Sequence, residues 1–314
     1  MAIWLSTFFL AIIVRAAWID PPTLYIWGGL VLVYFVINFI LNCRHPNSFR
    51  RRFAIGSWAE PWEPILHIRE EIEIDPLEAF IDKHNQEFPD HKITMTAIFA
   101  RALGEALSRT GKTYGKISFG QFIPLKSVDI ALAVDINGED LASLILRSCN
   151  TNTITQLAGQ MRASVKPLKE KRDPKFNQQV SSFRGVPSFL IHTILRFLIW
   201  LNYDVGLPIP CLHLPSNGFG GAILTNVAGF MVRDTFAPLV QPFRTVATSL
   251  MNRPVERAVV RDGQIVIRKI MYFNTTFDHR FADGSDADKM IRALHEVFND
   301  PAKYLWEAGF KPLL

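Results

Sequence analysis

Phe277-Asp278-His279-Arg280-Phe281-Ala282-Asp283-Gly284 is the stretch on which the fold turns, because a titratable ring, carboxylates and a glycine meet there at a spacing that chemistry would choose. Upstream, Ile270 to Phe277 is rich in β-branched and aromatic residues, which favours a strand. Downstream, Ser285 is placed to cap a helix whose apolar residues, Ala287, Met290, Ile291, Leu294, Val297 and Phe298, recur at the helical interval. His279 is therefore expected where a strand ends and a turn begins, a junction that holds a side chain rigidly and leaves one ring nitrogen open to a substrate.

Working outward, the chain carries Gly221-Ala222-Ile223-Leu224-Thr225-Asn226-Val227-Ala228-Gly229, then Phe236-Ala237-Pro238-Leu239-Val240 and Arg253-Pro254-Val255. Next comes Val259-Val260-Arg261-Asp262-Gly263-Gln264-Ile265-Val266-Ile267. In this order, and with Asp278 and Arg280 around His279, the segments resemble the catalytic domain of the 2-oxoacid dehydrogenase acyltransferases, with its DHRxxDG signature, the relatives of chloramphenicol acetyltransferase. Nonribosomal-peptide condensation domains share the HxxxDG core but have a second His before it. Here that position is Asp278, which favours the acyltransferase branch.

The elements between the motifs read consistently with that order, and ahead of them one short helix is expected, with Asp75 placed to cap it and Pro76 at its first turn. Thr94 to Ser108 is expected to be a helix, capped by Thr94 or Thr96 and ended by Gly111. Val128 to Ile136 alternates as a strand with one buried face, Asn137-Gly138 supplies a turn, and Leu141 to Leu146 pairs back. A helix follows from Thr153 towards Lys171, and Gly220 to Asn226 reads as a strand entering the site. Asp262-Gly263 fits a two-residue hairpin turn. The resemblance covers roughly residues 94–300.

The resemblance implies an α/β fold: a chloramphenicol-acetyltransferase-like two-layer sandwich built on a mixed sheet. It implies His279 as general base, Thr225 as hydroxyl donor to the tetrahedral oxyanion, and Asp283 as the residue that holds and orients the loop. It implies a homotrimer with the site formed between neighbours, and coenzyme A or acyl-CoA as substrate. No segment reads as a lipoyl or peripheral-subunit-binding domain, so no covalently bound lipoyl group is expected. No metal is expected either, since Asp278, His279, Asp283, Asp286 and Asp288 lack the spacing of a calcium loop.

The chain has 314 residues, a formal net charge of +5 and a pI near 9.1, which suits an anionic partner. No nucleic-acid module is recognisable, and aromatic residues do not interleave with the basic run Lys166 to Lys175. That run is either a solvated surface or a contact for anionic lipid or for the phosphates of coenzyme A. Cys43, Cys149 and Cys211 are scattered without metal or disulfide spacing and suggest a reducing compartment.

The N-terminus has a different character. Leu24 to Leu41 is apolar except for Asn38 and reads as a transmembrane helix, its length at about 1.5 Å per residue approaching a hydrocarbon core of about 30 Å. Ala2 to Trp18 is shorter and carries Arg15; it reads as a first span completing a helical hairpin, a membrane-surface helix or a signal-like segment. Arg44, Arg50, Arg51 and Arg52 form a basic collar that places the remainder in the cytoplasm. Cys43 stands where palmitoylation is chemically feasible. Val186 to Leu201 is an apolar helix with a narrow polar stripe of Ser188, His192 and Arg196, suited to lie along a bilayer beside the anchor or to pack inside an oligomer.

These readings divide the chain into a membrane anchor over residues 1–43, a basic collar and linking segment over 44–92, and an acyltransferase-like catalytic domain over 93–314. The function expected is that of a membrane-anchored, CoA-dependent acyltransferase acting on a thiol, hydroxyl or amine. The alternative is an inactive protein of the same fold that assembles partners at a membrane.

Overall fold

The computed structural model describes residues 21–44, 65–110, 114–136, 140–169, 194, 196–210, 220–239 and 244–307. In chain order the elements are α1 (Pro21–Arg44), β1 (Ile65–Glu73), α2 (Asp75–Glu87), α3 (Met95–Arg109), β2 (Gly115–Ser118), β3 (Gln121–Pro124), β4 (Ile130–Ile136) and β5 (Asp140–Leu146). They continue with α4 (Ile154–Lys169), a wide helical turn (Trp200–Val205), β6 (Ala222–Asn226), β7 (Ala247–Met251), β8 (Val255–Arg261), β9 (Gln264–Asp278) and α5 (Gly284–Asn299).

One mixed sheet organises these pieces in the order β1-β9-β7-β6-β4-β5, with β8 joined to β9. The ladders β4–β6 and β6–β7 are parallel and the others antiparallel. The expected mixed sheet is therefore present, and β2 and β3 form a separate hairpin. Asp262 and Gly263 turn β8 into β9 with φ of 51° and 76°, the left-handed pair that a two-residue hairpin turn requires.

Period-two alternation along β9 sends Met271, Phe273 and Phe277 to the side on which α3 and α5 pack. Phe99 of α3 sits between Phe273 and Phe298, with ring centroids 5.0 and 4.6 Å away. The α3 helix starts where expected: Thr94 Oγ1 accepts from the Ala97 amide at 3.3 Å. Its Gly104 lets α3 approach the backbone of Cys149 so closely that a Cβ there would lie 2.4 Å from the Cys149 carbonyl. Burial pushes the Cys149 thiol up to about 12, so at neutral pH this side chain is an inert packing group.

Three expectations are corrected here. The catalytic domain does not open at residue 93, because β1 pairs along its whole length with β9 in one continuous register, Ile65 opposite Asp278 and Glu73 opposite Ile270. Residues 65–92 belong to the sheet and its helices rather than to a linking segment. Asp75 does not cap α2: the cap position is Ile74 and the Asp75 carboxylate accepts the Lys269 amide at 2.9 Å. Asp75 therefore ties α2 to β9 instead of closing its own helix.

The third concerns the membrane. Among the described residues no helix is long and apolar enough to cross one, so the span expected over Leu24 to Leu41 is not supported. The unbroken apolar run ends at Asn38, and about 14 residues rise only about 21 Å. What is present is a 24-residue helix, α1, with Ile26, Leu32, Phe35 and Phe39 each more than 60% exposed. The expectations for residues 2–18, the collar at 50–52, the turn at 137–138, Gly111, Cys211, Ser188 and His192 lie outside the described residues.

Candidate functional site

His279 follows the last residue of β9, as the change from strand pattern to Asp-Gly chemistry predicts. What holds it was only partly legible. Asp278 and Arg280, the two residues on either side, are both buried and bind each other: Arg280 Nη2 lies 2.6 Å from Asp278 Oδ2, and Arg280 Nε lies 3.0 Å from both carboxylate oxygens. The Arg280 amide also donates to Asp278 Oδ1 at 3.0 Å. Charge-assisted bonds of this kind lock the turn, and His279, half-buried, projects from its middle.

The other side of the turn is fixed by the start of α5. Asp283, and not Ser285, is the cap: its Oδ1 accepts the Ser285 amide at 2.8 Å and the Asp286 amide at 3.3 Å, while Asp286 Oδ2 accepts the Asp283 amide at 3.3 Å. This reciprocal capping box satisfies orphan amides at both ends of the first turn. Asp283 thus holds the first turn of α5, four residues after His279.

Thr225 is not beside His279. On β6 it lies opposite Leu250 of β7, and Leu250 lies opposite Asn274 of β9. His279 is five residues further along β9, about 16 Å at the rise of a strand. The two side chains therefore stand towards opposite ends of one sheet. A cleft of about 400 Å³ opens at the Thr225 end, between Ala228 and Gly229 after β6 and Arg253 and Pro254 before β8.

Two further features were missed in the sequence. Asn274, Thr276 and Asp278 alternate on the side of β9 that faces away from α3 and α5, and all three are buried. Thr276 Oγ1 lies 3.2 Å from His67 Nδ1, and Asn274 Nδ2 donates to Asp234 at 2.8 Å. The polar alternation in Asn274-Thr275-Thr276-Phe277-Asp278 was the available signal, obscured by the β-branched residues that mark the strand. The second is a cluster in which Arg244 binds the carboxylate of Asp204 at 2.8 and 2.9 Å and stands over the ring of Tyr203. Arg244 lies 40 residues from Asp204 in sequence and no local pattern joins them.

With this geometry in view, similarities to known proteins carry weight. The chain matches the family described as 2-oxoacid dehydrogenases acyltransferase (catalytic domain) over residues 59–179 and 218–306. It is 22% identical over 241 residues to the dihydrolipoyllysine-residue succinyltransferase component of the Haemophilus influenzae 2-oxoglutarate dehydrogenase complex, covering 76% of this chain and 48% of that protein. A shorter match, 51% identical over 57 residues, is to the Pseudomonas putida lipoamide acyltransferase component of the branched-chain alpha-keto acid dehydrogenase complex, 18% of this chain and 14% of that one. The chain thus spans less than half the length of these relatives. In structure it resembles the Azotobacter vinelandii dihydrolipoamide acetyltransferase with a TM-score of 0.55 at 18% identity, over 77% of this chain and 84% of that one. By the extent of that family match, with a fold to agree, this chain belongs to the 2-oxoacid dehydrogenase acyltransferase catalytic-domain family.

Proposed function

We propose that the protein is a CoA-dependent acyltransferase, held at a membrane, that transfers an acyl group from a thioester to a thiol, hydroxyl or amine. The observation that carries this reading is the mounting of His279: a half-buried imidazole fixed between a buried ion pair and a capped helix. In the Azotobacter relative a serine, a histidine and an asparagine four positions later were investigated for their role in the catalytic mechanism. Thr225, His279 and Asp283 stand in the same order here.

In the reaction, His279 takes the proton of the acceptor as its heteroatom attacks the thioester carbonyl. The tetrahedral oxyanion accepts a hydrogen bond from the Thr225 hydroxyl. Collapse breaks the carbon–sulfur bond, and the departing coenzyme A thiolate recovers the proton from His279. Asp283 keeps the loop in place and takes no proton. No acyl-enzyme and no tethered lipoyl arm is needed.

The separation of about 16 Å between Thr225 and His279 along the strands means that they meet only if His279 of one copy faces Thr225 of another. A homotrimer supplies such a seam three times. The apolar face formed by Val260, Ile265 and Ile267 on the β8–β9 hairpin, each more than 60% exposed, gives a second copy a surface to cover.

Membrane attachment rests on α1. A helix with bulky apolar side chains exposed around most of its surface needs cover other than water. Arg44 at its end, with the three arginines at 50–52, suits the anionic headgroups of a membrane surface. Purified full-length protein incubated with acetyl-CoA and a panel of small thiols, alcohols and amines should release free coenzyme A, and His279→Ala should abolish release while the oligomer persists. Undiminished release by that variant would remove His279 from the role of base.

A further inference from the structure

The β2–β3 hairpin is flanked by two apolar surfaces. At one of its strands, β3, it is touched by α1. On the other, the turn Trp200–Val205 is fastened to β2: Lys116 Nζ donates to the Tyr203 carbonyl at 2.8 Å, the Ile117 amide to Tyr203 Oη at 3.2 Å, and Ser118 Oγ to the Asp204 carbonyl at 3.0 Å. Arg244 binds the Asp204 carboxylate, and Asn202, fully buried, donates to the Leu207 carbonyl at 3.0 Å.

All these bonds hold in place a face that is apolar and open. Phe197, Leu207, Val205 and Trp200 are between 41% and 57% exposed, and the rings of Phe197 and Trp200 stack with centroids 6.0 Å apart. A water-facing segment gains nothing from presenting two aromatics and two aliphatics on so rigid a mount.

We infer that the face formed by Phe197, Trp200, Val205 and Leu207 rests on a lipid bilayer, beside α1, and brings the His279 end of the sheet to the membrane. The inference rests on the membrane reading of α1 given above and extends it to the site. Continuity argues for lipid: both apolar surfaces adjoin the same small hairpin. The composition argues likewise, since Trp and Phe with Arg196 next in sequence match the headgroup boundary. The position relative to the site follows from two contacts. Phe122 of β3 packs on Phe281, two residues after His279, with centroids 6.1 Å apart. The Ile117 amide, which donates to Tyr203 Oη, belongs to the residue paired with Phe122 across the hairpin. An amphiphilic acceptor dissolved in the bilayer would therefore reach the base from the membrane side, while the arm at Val260 and Ile265 points to the other end.

The test uses the full chain in vesicles of phosphatidylcholine and phosphatidylglycerol. The photo-reactive residue p-benzoylphenylalanine replaces Phe197 in one variant and Ile265 in another. Flotation of both variants with the vesicles, followed by irradiation and mass spectrometry, should give lipid adducts at 197 and none at 265. Flotation without lipid adducts at 197, or adducts there with a second protein chain, would overturn the inference and leave the membrane reading of α1 standing. Failure of the protein to float would remove both.

Discussion

The guanidinium of Arg280 closes on the carboxylate of Asp278 across the backbone of His279, with 2.6 Å between Nη2 and Oδ2 and both side chains buried. The signature's charged residues thus serve as a clamp, and the histidine between them is what the clamp presents. Removing one member strands a buried charge. Asp278→Ala should destabilise the fold by about 3–5 kcal/mol in denaturant unfolding. A loss below about 1 kcal/mol would mean that the pair is solvated and holds nothing.

Asp283 gives a subtler case, because its carboxylate both caps α5 and fixes the far side of the turn. Asp283→Ala should cost about 1 kcal/mol of stability, as lost caps do. It should lower turnover more than that cost explains, since the loop carrying His279 is loosened. Asp283→Asn keeps an oxygen acceptor in place and should retain both stability and activity. Equal activity of the Ala and Asn variants would deny the loop any part in positioning.

The separation of Thr225 from His279 makes a prediction about mixing. With its hydroxyl proposed as the oxyanion donor, Thr225→Val should slow turnover about a hundredfold or more. If the site lies on a seam, co-expression of the Thr225→Val chain with the His279→Ala chain should regenerate intact sites at about a quarter of the seams of randomly mixed trimers. Activity in the mixture that never exceeds that of the separate variants would place the site within one chain.

Acid should unfold the protein partly through Glu105. Burial by itself would raise its carboxyl, but hydrogen bonds from Arg109 and Arg101, at 2.8 and 2.7 Å, hold it below the ordinary 4.5. A carboxyl lowered on folding contributes stability that is complete above the unfolded value and is lost as pH falls through the folded one. Stability should therefore decline below pH 4.5, with a shallower decline in Glu105→Gln. At neutral pH that variant should lose on the order of 3 kcal/mol, because Arg101 is left buried beside Tyr304 without its carboxylate. Identical acid limbs for the two proteins would rule the network out as the cause.

Much was decided locally. The strand ending in Asp278, the helix after Gly284, the Asp262-Gly263 turn and the Thr94 cap all follow from side-chain period and turn chemistry among neighbours in the chain, and the structure has them. The ordered motifs around His279 were enough to indicate the family that the chain matches. Three assignments failed, two where a distant segment competed and one where a neighbour did. Asp75 looked like a cap until the Lys269 amide claimed it, residues 65–73 looked like linker until β9 paired with them, and Ser285 looked like the cap that Asp283 provides.

Period, caps and turns are written in residues a few positions apart, so the sequence alone determined which segments are strand or helix and where a histidine meets an Asp-Gly turn. Register and packing join residues hundreds of positions apart through hydrogen bonds and burial that leave no local mark. Only the tertiary structure could decide that Thr225 and His279 stand at opposite ends of one sheet, and that Tyr203 and Asp204 are bolted to Ile117 and Arg244 under an open apolar face.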